Sequence, residues 1–197
     1  MVLAFNKWDT AGIKVQDPGL VRYITLAPRY VPKTGARYAG NKFHKSRTFI
    51  VERLLNKIMI PGHKSKKHKL TSGFMTGKSQ TAYGILERAL ATLEQKTKQN
   101  PIAVLVRAIE NAAPREEIIT IEYGGARYPK AVECAPQRRI DIVLRQFTQS
   151  AYQKSFSSKR KIEDALADEI LLAFQNNQQS QAVSKKLELE RAADSSR

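Results

Sequence analysis

Residues 114–139, PREEIITIEYGGARYPKAVECAPQRR, decide the fold, because they predict a pair of strands in a chain whose other periodic segments predict helices. Two runs rich in β-branched and aromatic residues flank Gly124 and Gly125. A two-residue turn between antiparallel strands needs positive φ at its centre, which glycine adopts without steric cost. The stretch therefore predicts a β-hairpin, which we place at residues 118–132.

A two-residue loop also fixes which residues lie opposite each other. The predicted pairs are Tyr123 with Ala126, Glu122 with Arg127, and Ile121 with Tyr128. These include an opposite-charge pair and a β-branched–aromatic pair, both of which stabilise antiparallel strands. Pro129 has no N–H to donate, so the second strand cannot lie in the middle of a wider sheet.

Two arrangements are open for this hairpin, because a two-stranded ribbon is marginally stable alone in water. It could fold back on the helices of its own chain, or it could extend as an arm toward a partner. The charge distribution favours the arm.

The positive charge of the chain is uneven. The net charge is +16, with +7 in residues 1–48, +7 in 49–100, −1 in 101–135, +6 in 136–161 and −3 in 162–197. Clustered lysine and arginine, with a sequence pI of about 10.1, indicate a polyanionic partner. Nucleic acid is favoured over a membrane, because no run reaches the ~18 apolar residues of a spanning helix and no signal-peptide pattern follows Met1.

The apolar periodicity predicts a mainly α fold, a bundle of about six helices with one protruding two-stranded β-hairpin. The first helix is capped near Ser46 to Thr48 and ends at Pro61-Gly62, while Asn100-Pro101 and Pro136 open the third and fourth. The second covers about 78–97, the fifth 161–174 and the sixth 181–197. The fifth carries the stripe Ile162, Leu166, Ile170 and Phe174, and the weakly apolar sixth should dock only partly.

A length of 197 residues suits one domain with a hydrophobic core, plus tails. Residues 1–48 hold four Gly and three Pro and show no sustained helical period. They predict an extended basic N-terminal arm rather than a packed element. Residues 49–197 then form the helical domain, with a basic insert at 61–76.

Two basic segments are candidate phosphate contacts. Arg-Tyr pairs occur at Arg22-Tyr23, Arg29-Tyr30 and Arg37-Tyr38. An arginine can bind phosphate while the neighbouring tyrosine stacks on a base, although ordinary packing explains such pairs equally well. The insert carries Lys64, Lys66, Lys67 and Lys69. Because it offers little apolar area to offset the entropy of ordering, we expect it to be mobile without a partner.

No catalytic or metal-binding constellation is recognisable. Gly77-Lys78-Ser79 lacks the earlier glycine of a phosphate-binding loop, since position 72 is Ser, and so predicts a helix start whose lysine points at phosphate. Cys134 is the only cysteine and predicts a buried, inert thiol. The adjacent pairs Glu116-Glu117 and Asp168-Glu169 are expected on solvated surfaces. His63 and His68 lie among lysines, and His44 is isolated, so neither metal nor cofactor is expected.

Several motifs in order resemble one known family, the small-ribosomal-subunit protein seven family, whose eukaryotic counterpart is numbered five. The resemblance spans roughly residues 49–197. It rests on Gly77-Lys78-x-x-x-Ala82-x-x-Ile85-Leu86-x-x-Ala89, VRAIENAAPREEI (106–118), GGARYPKAVECAPQRR (124–139) and KKLELERAADSSR (185–197). The insert and the long N-terminal arm depart from the bacterial pattern, so the chain resembles the archaeal and eukaryotic branch, closer to the archaeal side.

The resemblance implies a non-enzymatic protein of the cytoplasmic ribosome. It would bind the 3′ major (head) domain of small-subunit rRNA, nucleate head assembly, and place its hairpin near exit-site tRNA and the mRNA exit path. Its C-terminal helix would lie near platform protein eleven, among other head proteins, with no membrane and no homo-oligomer.

The expected contacts form two sets. The rRNA-binding residues are Arg29, Arg37, Lys64, Lys66, Lys67, Lys69, Gly77, Lys78, Arg138, Arg139, Lys159, Arg160 and Lys161. The hairpin residues facing tRNA and mRNA are Tyr123, Gly124, Gly125, Arg127 and Tyr128. The family pattern carries over to Gly77, Lys78, Gly124, Gly125, Arg138 and Arg139, whereas the insert lysines rest on charge alone. Arg138 or Arg139 could instead pair with Glu133 or Asp141.

Two other functions remain open on residues alone. A regulatory or chromatin-like protein that binds DNA or RNA would carry the same positive charge, because phosphate contacts hold no sequence or sugar information. The acidic residues of the hairpin make it a poor ribbon for a DNA groove. An RNA-modifying enzyme is disfavoured by the missing acid/base and metal sets.

Overall fold

The computed structural model describes residues 2–29, 32–34, 40–60 and 74–196. Within them the predicted fold class is confirmed, with the helices and strands in the predicted order. The elements are α1 (Ile50–Ile58), α2 (Ser79–Thr97), α3 (Pro101–Ala112), β1 (Glu116–Tyr123), β2 (Ala126–Glu133), α4 (Pro136–Ser155), α5 (Ile162–Phe174) and α6 (Gln181–Asp194). Arg37 and the lysines of the insert lie outside the described residues.

Helix α5 occupies the centre of the bundle, where α2, α3 and α4 pack against it. The predicted stripe was incomplete, because its two ends are only half-buried, while three alanines are buried with Leu166 and Ile170. Ala173 lies within the stripe, and Ala165 and Ala167 lie on either side of it. The buried alanines are Ala165, Ala167 and Ala173. A helix that is apolar on several sides is enclosed by its neighbours.

Glu169 of α5 corrects the prediction that the Asp168-Glu169 pair is solvated, since Glu169 is 0% exposed. Its carboxylate accepts hydrogen bonds from Ser150 Oγ (2.7 Å) and Lys154 Nζ (2.7 Å) of α4. It also accepts from Ser180 Oγ (2.8 Å) and from the N–H of Ala182 (3.3 Å) at the start of α6. A buried charge is tolerated only when it is paired and hydrogen-bonded, and these four donors satisfy both conditions.

The predicted start of α3 is confirmed, whereas the predicted cap of α1 is wrong. The Asn100 side chain accepts from the N–H of Ile102 at 3.0 Å, and Pro101 occupies the first turn of α3, as predicted. At α1 the capping prediction is wrong, because Phe49 is the N-cap and no side chain caps the helix. Ser46 belongs instead to a short 3-10 turn, where its hydroxyl donates to the carbonyl of Phe43 at 2.6 Å.

Residues 2–29 contain no α-helix, as predicted for an extended arm, but they are packed on the body. Ala4, Trp8, Leu20 and Ile24 are buried in the same hydrophobic cluster as the helices. This corrects the expectation of an unpacked segment. Its apolar residues are too irregularly spaced to form a periodic pattern, yet each docks singly.

Hydrogen bonds also connect the N-terminal residues 2–29 to α2 and α3. The indole N–H of Trp8 donates to Glu94 at 3.0 Å. The backbone N–H groups of Gln16 and Asp17 donate to one oxygen of Glu110, at 2.5 and 3.0 Å. The proposed division of the chain at residue 48 stays a prediction.

The hairpin confirms the predicted register, with Tyr123 opposite Ala126, Glu122 opposite Arg127 and Ile121 opposite Tyr128. Gly124 and Gly125 have φ of 56° and 82°, which a two-residue turn with two positive φ angles requires. Each strand has eight residues, longer than predicted. The strands pack on α6, and their half-buried residues 116–118, 131 and 132 form the root of the hairpin. Residues 119–130 are exposed, so the hairpin is an arm.

Replacing Glu169 by alanine is expected to lower the free energy of unfolding by about 3–5 kcal/mol, because it breaks a buried, hydrogen-bonded ion pair. A matched control is Glu163→Ala on the same helix, since Glu163 pairs with Arg88, whose side chain is 59% exposed. That pair contributes less than about 1 kcal/mol. Denaturant unfolding of both variants gives the comparison, and equal losses would contradict the role of Glu169.

Candidate nucleic-acid interface

The predicted RNA-binding residues that the structure describes lie mainly in two groups, at the two ends of α4. Arg138 and Arg139 are in its first turn, beside the hairpin, and Lys159 to Lys161 follow its last turn. A helix of 20 residues is about 30 Å long. The two groups therefore cannot contact the same phosphate, and any shared ligand must extend along α4.

The group beyond the C-terminal end of α4 includes the start of α2. Met75, Ile58 and Ile162 line one cavity there, which brings the chain just before Gly77-Lys78 next to the start of α5. Gly77 has φ of 71° and Lys78 is the N-cap of α2. Both are exposed.

In the loop between α4 and α5, Lys159, Arg160 and Lys161 are all exposed. The guanidinium of Arg160 pairs with Asp168, which also accepts from Lys96. This pairing orients Arg160 at the surface. The loop together with Gly77-Lys78 presents several cations at one end of the bundle.

The two arginines at the other end have different surroundings. Arg138 Nε donates to both oxygens of Glu117, at 2.7 and 2.8 Å, while its side chain remains 58% exposed. Arg139 is buried, and donates from Nε to the carbonyl of Pro114 at 2.9 Å and from Nη2 to Asp17 Oδ2 at 2.7 Å. Of the two, only Arg138 is presented to solvent.

The partners of these arginines are therefore neither of the two carboxylates that the sequence suggested. Burial alone would raise the pKa of Asp17, but the hydrogen bonds from Arg139 and the N–H of Gly19, with the positive charge of Arg139, lower it below the ordinary value. Contact of Arg139 with rRNA stays a prediction, as does that of Arg138.

A third group of cations, which the sequence analysis missed, lies between α1 and α4 around Asp141. We call Lys45, Arg53, Lys57, Arg145 and Asp141 the Asp141 cluster. Lys45 Nζ contacts one carboxylate oxygen, and Arg53 Nη2 lies 3.2 Å from the other. Lys45, Arg53 and Lys57 act electrostatically on this carboxylate, and Arg145 acts on Lys57. The cluster therefore has an excess of positive charge, which favours a bound anion.

The pKa values of the cluster follow from the same crowding. Burial lowers the pKa of Lys57, and the nearby cations Arg145, Lys45 and Arg53 lower it further, against the attraction of Asp141. Burial alone would raise the pKa of Asp141. The hydrogen bond from Lys45 and the positive charges of Arg53, Lys45 and Lys57 outweigh burial, so this pKa lies below the ordinary value.

A local signal for this cluster exists in the sequence. Arg53 and Lys57 are four residues apart on α1, and Asp141 and Arg145 are four apart on α4, so each pair shares a helix face. What the sequence does not show is that the two faces meet, because that depends on how α1 packs against α4. The cluster lies along α4 between the two predicted groups.

The N-terminal arginine–tyrosine pairs are only partly described. Arg29 is exposed. Tyr23 is half-buried against the core, and its carbonyl accepts from Arg53 Nη1 at 3.1 Å. Ordinary packing thus accounts for Tyr23, while Tyr30 and Tyr38 lie outside the described residues.

Cys134 is 5% exposed. Burial, reinforced by the negative charge of Glu117 and a hydrogen bond to it, raises the pKa of the thiol to about 11. The thiol is therefore protonated at neutral pH, and an unreactive cysteine results. Over the described parts of the chain, no three His, Cys, Asp or Glu side chains are grouped as metal ligands, and no helix has the length and apolar character to cross a bilayer.

The lowered pKa of Asp141 predicts a pH dependence of stability. A carboxyl whose folded pKa is depressed contributes stability that is fully present above its unfolded pKa and is lost as the pH falls through the folded pKa. We expect the free energies of unfolding of the unsubstituted chain and of Asp141→Asn to differ at neutral pH. They should converge as the pH falls below about 4, and denaturant titrations at several pH values measure this. A constant difference would contradict it.

Comparison of the sequence with known proteins points to one family. The family model described as Ribosomal protein S7p/S5e matches residues 20–197. The chain is 49% identical over 193 residues to "Small ribosomal subunit protein uS7" of Nanoarchaeum equitans, with 98% of each protein covered. It is 46% identical over 196 residues to the protein of that name from Archaeoglobus fulgidus, with 100% of this chain and 95% of the relative covered.

A third archaeal relative extends the agreement. The protein of the same name from Methanothrix thermoacetophila is 45% identical over 193 residues, with 98% of each covered. The alignments with these relatives include nearly all of the N-terminal segment that the family model leaves out, so the archaeal type is confirmed. The chain belongs to the Ribosomal protein S7p/S5e family.

Proposed function

We propose that this chain binds the head domain of small-subunit rRNA along α4, nucleates assembly of the head, and extends its hairpin toward exit-site tRNA and the mRNA exit path. As a member of its family it is a structural component of the small ribosomal subunit, a cytoplasmic ribonucleoprotein. That family is not an enzyme family. Among the observations, the full-length likeness to archaeal relatives supports this proposal most strongly.

The position of the cations supports binding along α4. Arg138, the Asp141 cluster and the Lys159–Lys161 loop follow one another over the length of this helix. A path of about 30 Å accommodates several consecutive phosphates of one strand. The contacts would position the RNA without reading its bases, as phosphate contacts do.

A chromatin-like or regulatory role is the second candidate, and no observation of the structure favours it. The exposed part of the hairpin carries Arg127 and Lys130 but also Glu122, which lies 3.7 Å from Arg127. A ribbon that inserts into a DNA groove would be repelled by this carboxylate. The family assignment also points to the ribosome.

The two faces of the hairpin suggest how it would contact RNA. Ile119, Ile121, Tyr123 and Tyr128 lie on one face and are exposed by 43%, 41%, 81% and 58%. Tyrosine rings stack on bases, and such stacking contributes about 1–3 kcal/mol per base. We propose that this face stacks on nucleotides of tRNA or mRNA, while Gly124 and Gly125 let the backbone approach closely.

The remaining parts of the proposal concern the other predicted contacts. Residues 49–197 would form the rRNA-binding unit, and the insert 61–76 would add phosphate contacts. The outer side of α6, with Glu188 and Arg191 exposed, would face platform protein eleven, and further head proteins would surround the body. No homo-oligomer is expected.

Substitution in the Asp141 cluster tests the rRNA contact. Arg145→Gln removes an exposed cation on α4, and Lys185→Gln is its control on α6, where Lys185 pairs with Glu188. We expect Arg145→Gln to weaken binding of a head-domain rRNA fragment and to flatten the salt dependence of log K by about 0.9 per lost contact on the duplex scale. The control should retain the original slope. Filter binding at several salt concentrations measures both, and an unchanged slope for Arg145→Gln would refute a contact there.

Shortening the hairpin separates fold from function. Deleting the cross-strand pairs Ile121–Tyr128 and Glu122–Arg127 removes two rungs but keeps the faces and the Gly-Gly turn. These residues are exposed, so thermal stability and rRNA binding should change little, whereas exit-site tRNA should dissociate faster from reconstituted subunits.

A length-matched control is the charge exchange Glu122→Arg with Arg127→Glu, which should leave tRNA dissociation near its original rate if stacking provides the contact. If the shortened chain unfolds, or if tRNA dissociates at the original rate, the hairpin does not act as an exit-site arm.

A further inference from the structure

We propose that Asp17, in the N-terminal segment, is a positioning residue that sets the direction of the hairpin through the buried side chain of Arg139. Asp17 Oδ2 accepts from Arg139 Nη2 at 2.7 Å, and Arg139 Nε donates to the carbonyl of Pro114 at 2.9 Å. Pro114 lies two residues before the start of β1. Two charge-assisted hydrogen bonds therefore connect the N-terminal segment to the root of the hairpin.

Asp17 is itself held from two sides. Its backbone N–H and that of Gln16 donate to Glu110 of α3, a residue that is only 9% exposed. Its other carboxylate oxygen accepts from the N–H of Gly19 at 2.9 Å, which closes a tight turn around the side chain. The carboxylate thus has a fixed position on the body before it meets the guanidinium.

Two other polar contacts link the hairpin root to α4 and α6, and both are nearer to solvent. Arg138 pairs with Glu117 of β1 with its side chain 58% exposed, and the N–H of Arg115 donates to Glu190 of α6 at 3.0 Å in an exposed position. Arg139, by contrast, has 10% of its side chain exposed. Water and salt weaken exposed ion pairs far more than buried ones, so the Asp17–Arg139 contact is the most rigid of the three.

Loss of the Asp17 carboxylate would leave Arg139 among like charges. Arg115 and Lys186 act electrostatically at the same place, together with Glu190. An unpaired, largely buried guanidinium is strongly disfavoured. The Arg139 side chain would therefore move toward solvent, and its hydrogen bond to Pro114 would be lost with it.

The length of the hairpin makes this contact important for the tip. Eight residues per strand at about 3.3 Å each extend roughly 26 Å, so a rotation of about 5° at the root displaces the tip by about 2 Å. A displacement of that size exceeds the tolerance of a hydrogen bond or a base stack. The N-terminal segment would thereby act on the contacts of the tip without touching them.

The test uses the full-length chain with Cys134→Ala and spin labels at Tyr123→Cys on the tip and Gln95→Cys on the exposed side of α2. Asp17→Ala should broaden the label-to-label distance distribution and shift it by about 2 Å or more, because strands of this length amplify a small rotation at the root. Asp17→Glu, which keeps the charge, should restore most of the original distribution.

Asp9→Ala is the matched control. Asp9 closes the same kind of turn, accepting from the N–H of Ala11 at 3.0 Å, in the same segment but away from the hairpin root. It should leave the distribution unchanged. An unchanged distribution for Asp17→Ala, or an equal change for Asp9→Ala, would overturn the proposal.

Should Asp17→Ala fail to fold, Gly19→Ala provides a second test with every charge kept. A Cβ at this position would lie 3.2 Å from Asp17 Oδ1 and 3.3 Å from Arg139 Nη1, so it presses on the pair from outside. The tip distribution should shift in this variant as well, and no shift would count against the proposal.

The expected effect of Asp17 on tRNA rests on the proposed function, whereas its effect on the direction of the hairpin does not. In reconstituted subunits Asp17→Ala should accelerate exit-site tRNA dissociation. A displaced tip with unchanged tRNA dissociation would keep Asp17 as a positioning residue and overturn the exit-site role of the hairpin.

Discussion

One buried carboxylate, that of Glu169, connects three helices, and the placement of the hairpin depends on it. Its partners belong to α4 and to the start of α6, and one of them, Ser180, also caps α6 by accepting from the N–H of Val183 at 3.4 Å. The same carboxylate that neutralises Lys154 therefore determines where α6 begins. Because the hairpin root packs on α6, an interaction inside the bundle fixes the base of an arm that extends outside it. A hydrophobic contact could not replace it, since directional hydrogen bonds specify geometry that apolar packing leaves adjustable.

Helix α4 gives the molecule its second organising axis. Its first turn supports the hairpin through Arg138 and Arg139, its middle carries the Asp141 cluster, and its end leads into the loop of Lys159 to Lys161. Neighbouring cations repel each other in the free protein, and this repulsion adds to burial, the larger cause, in lowering the pKa of Lys57. A polyanion lying along the helix would relieve that repulsion. The contacts between these cations and the polyanion would then both provide binding energy and reduce the repulsion among the cations.

What the sequence predicted correctly was determined locally. The register of the hairpin followed from the two glycines between its strands, and the start of α3 followed from Asn100 and Pro101, because each depends on residues within a few positions of one another. Apart from the cap of α1, the errors involve contacts between distant positions. Glu169 and Arg139 carry charges that normally lie at the surface. Their burial is explained by partners distant in sequence, which come from α4 and the start of α6 for Glu169 and from residue 17 for Arg139. The packed N-terminal segment and the Asp141 cluster were missed for the same reason, since no local pattern reveals which surfaces meet.

The exposed ribbon also creates a risk of self-association for the chain before it reaches its place in the subunit. Both outer edges of a two-stranded sheet present unpaired N–H and C=O groups, and edges of this kind pair readily with a second copy. Here Ile119, Ile121 and two tyrosines beside those edges add apolar area. Three features oppose pairing: Pro129 removes a donor from the second strand, Lys130 follows it, and the net charge of +16 keeps copies apart. Newly made chains would accordingly remain dispersed at low ionic strength and aggregate through their hairpins when salt screens that charge.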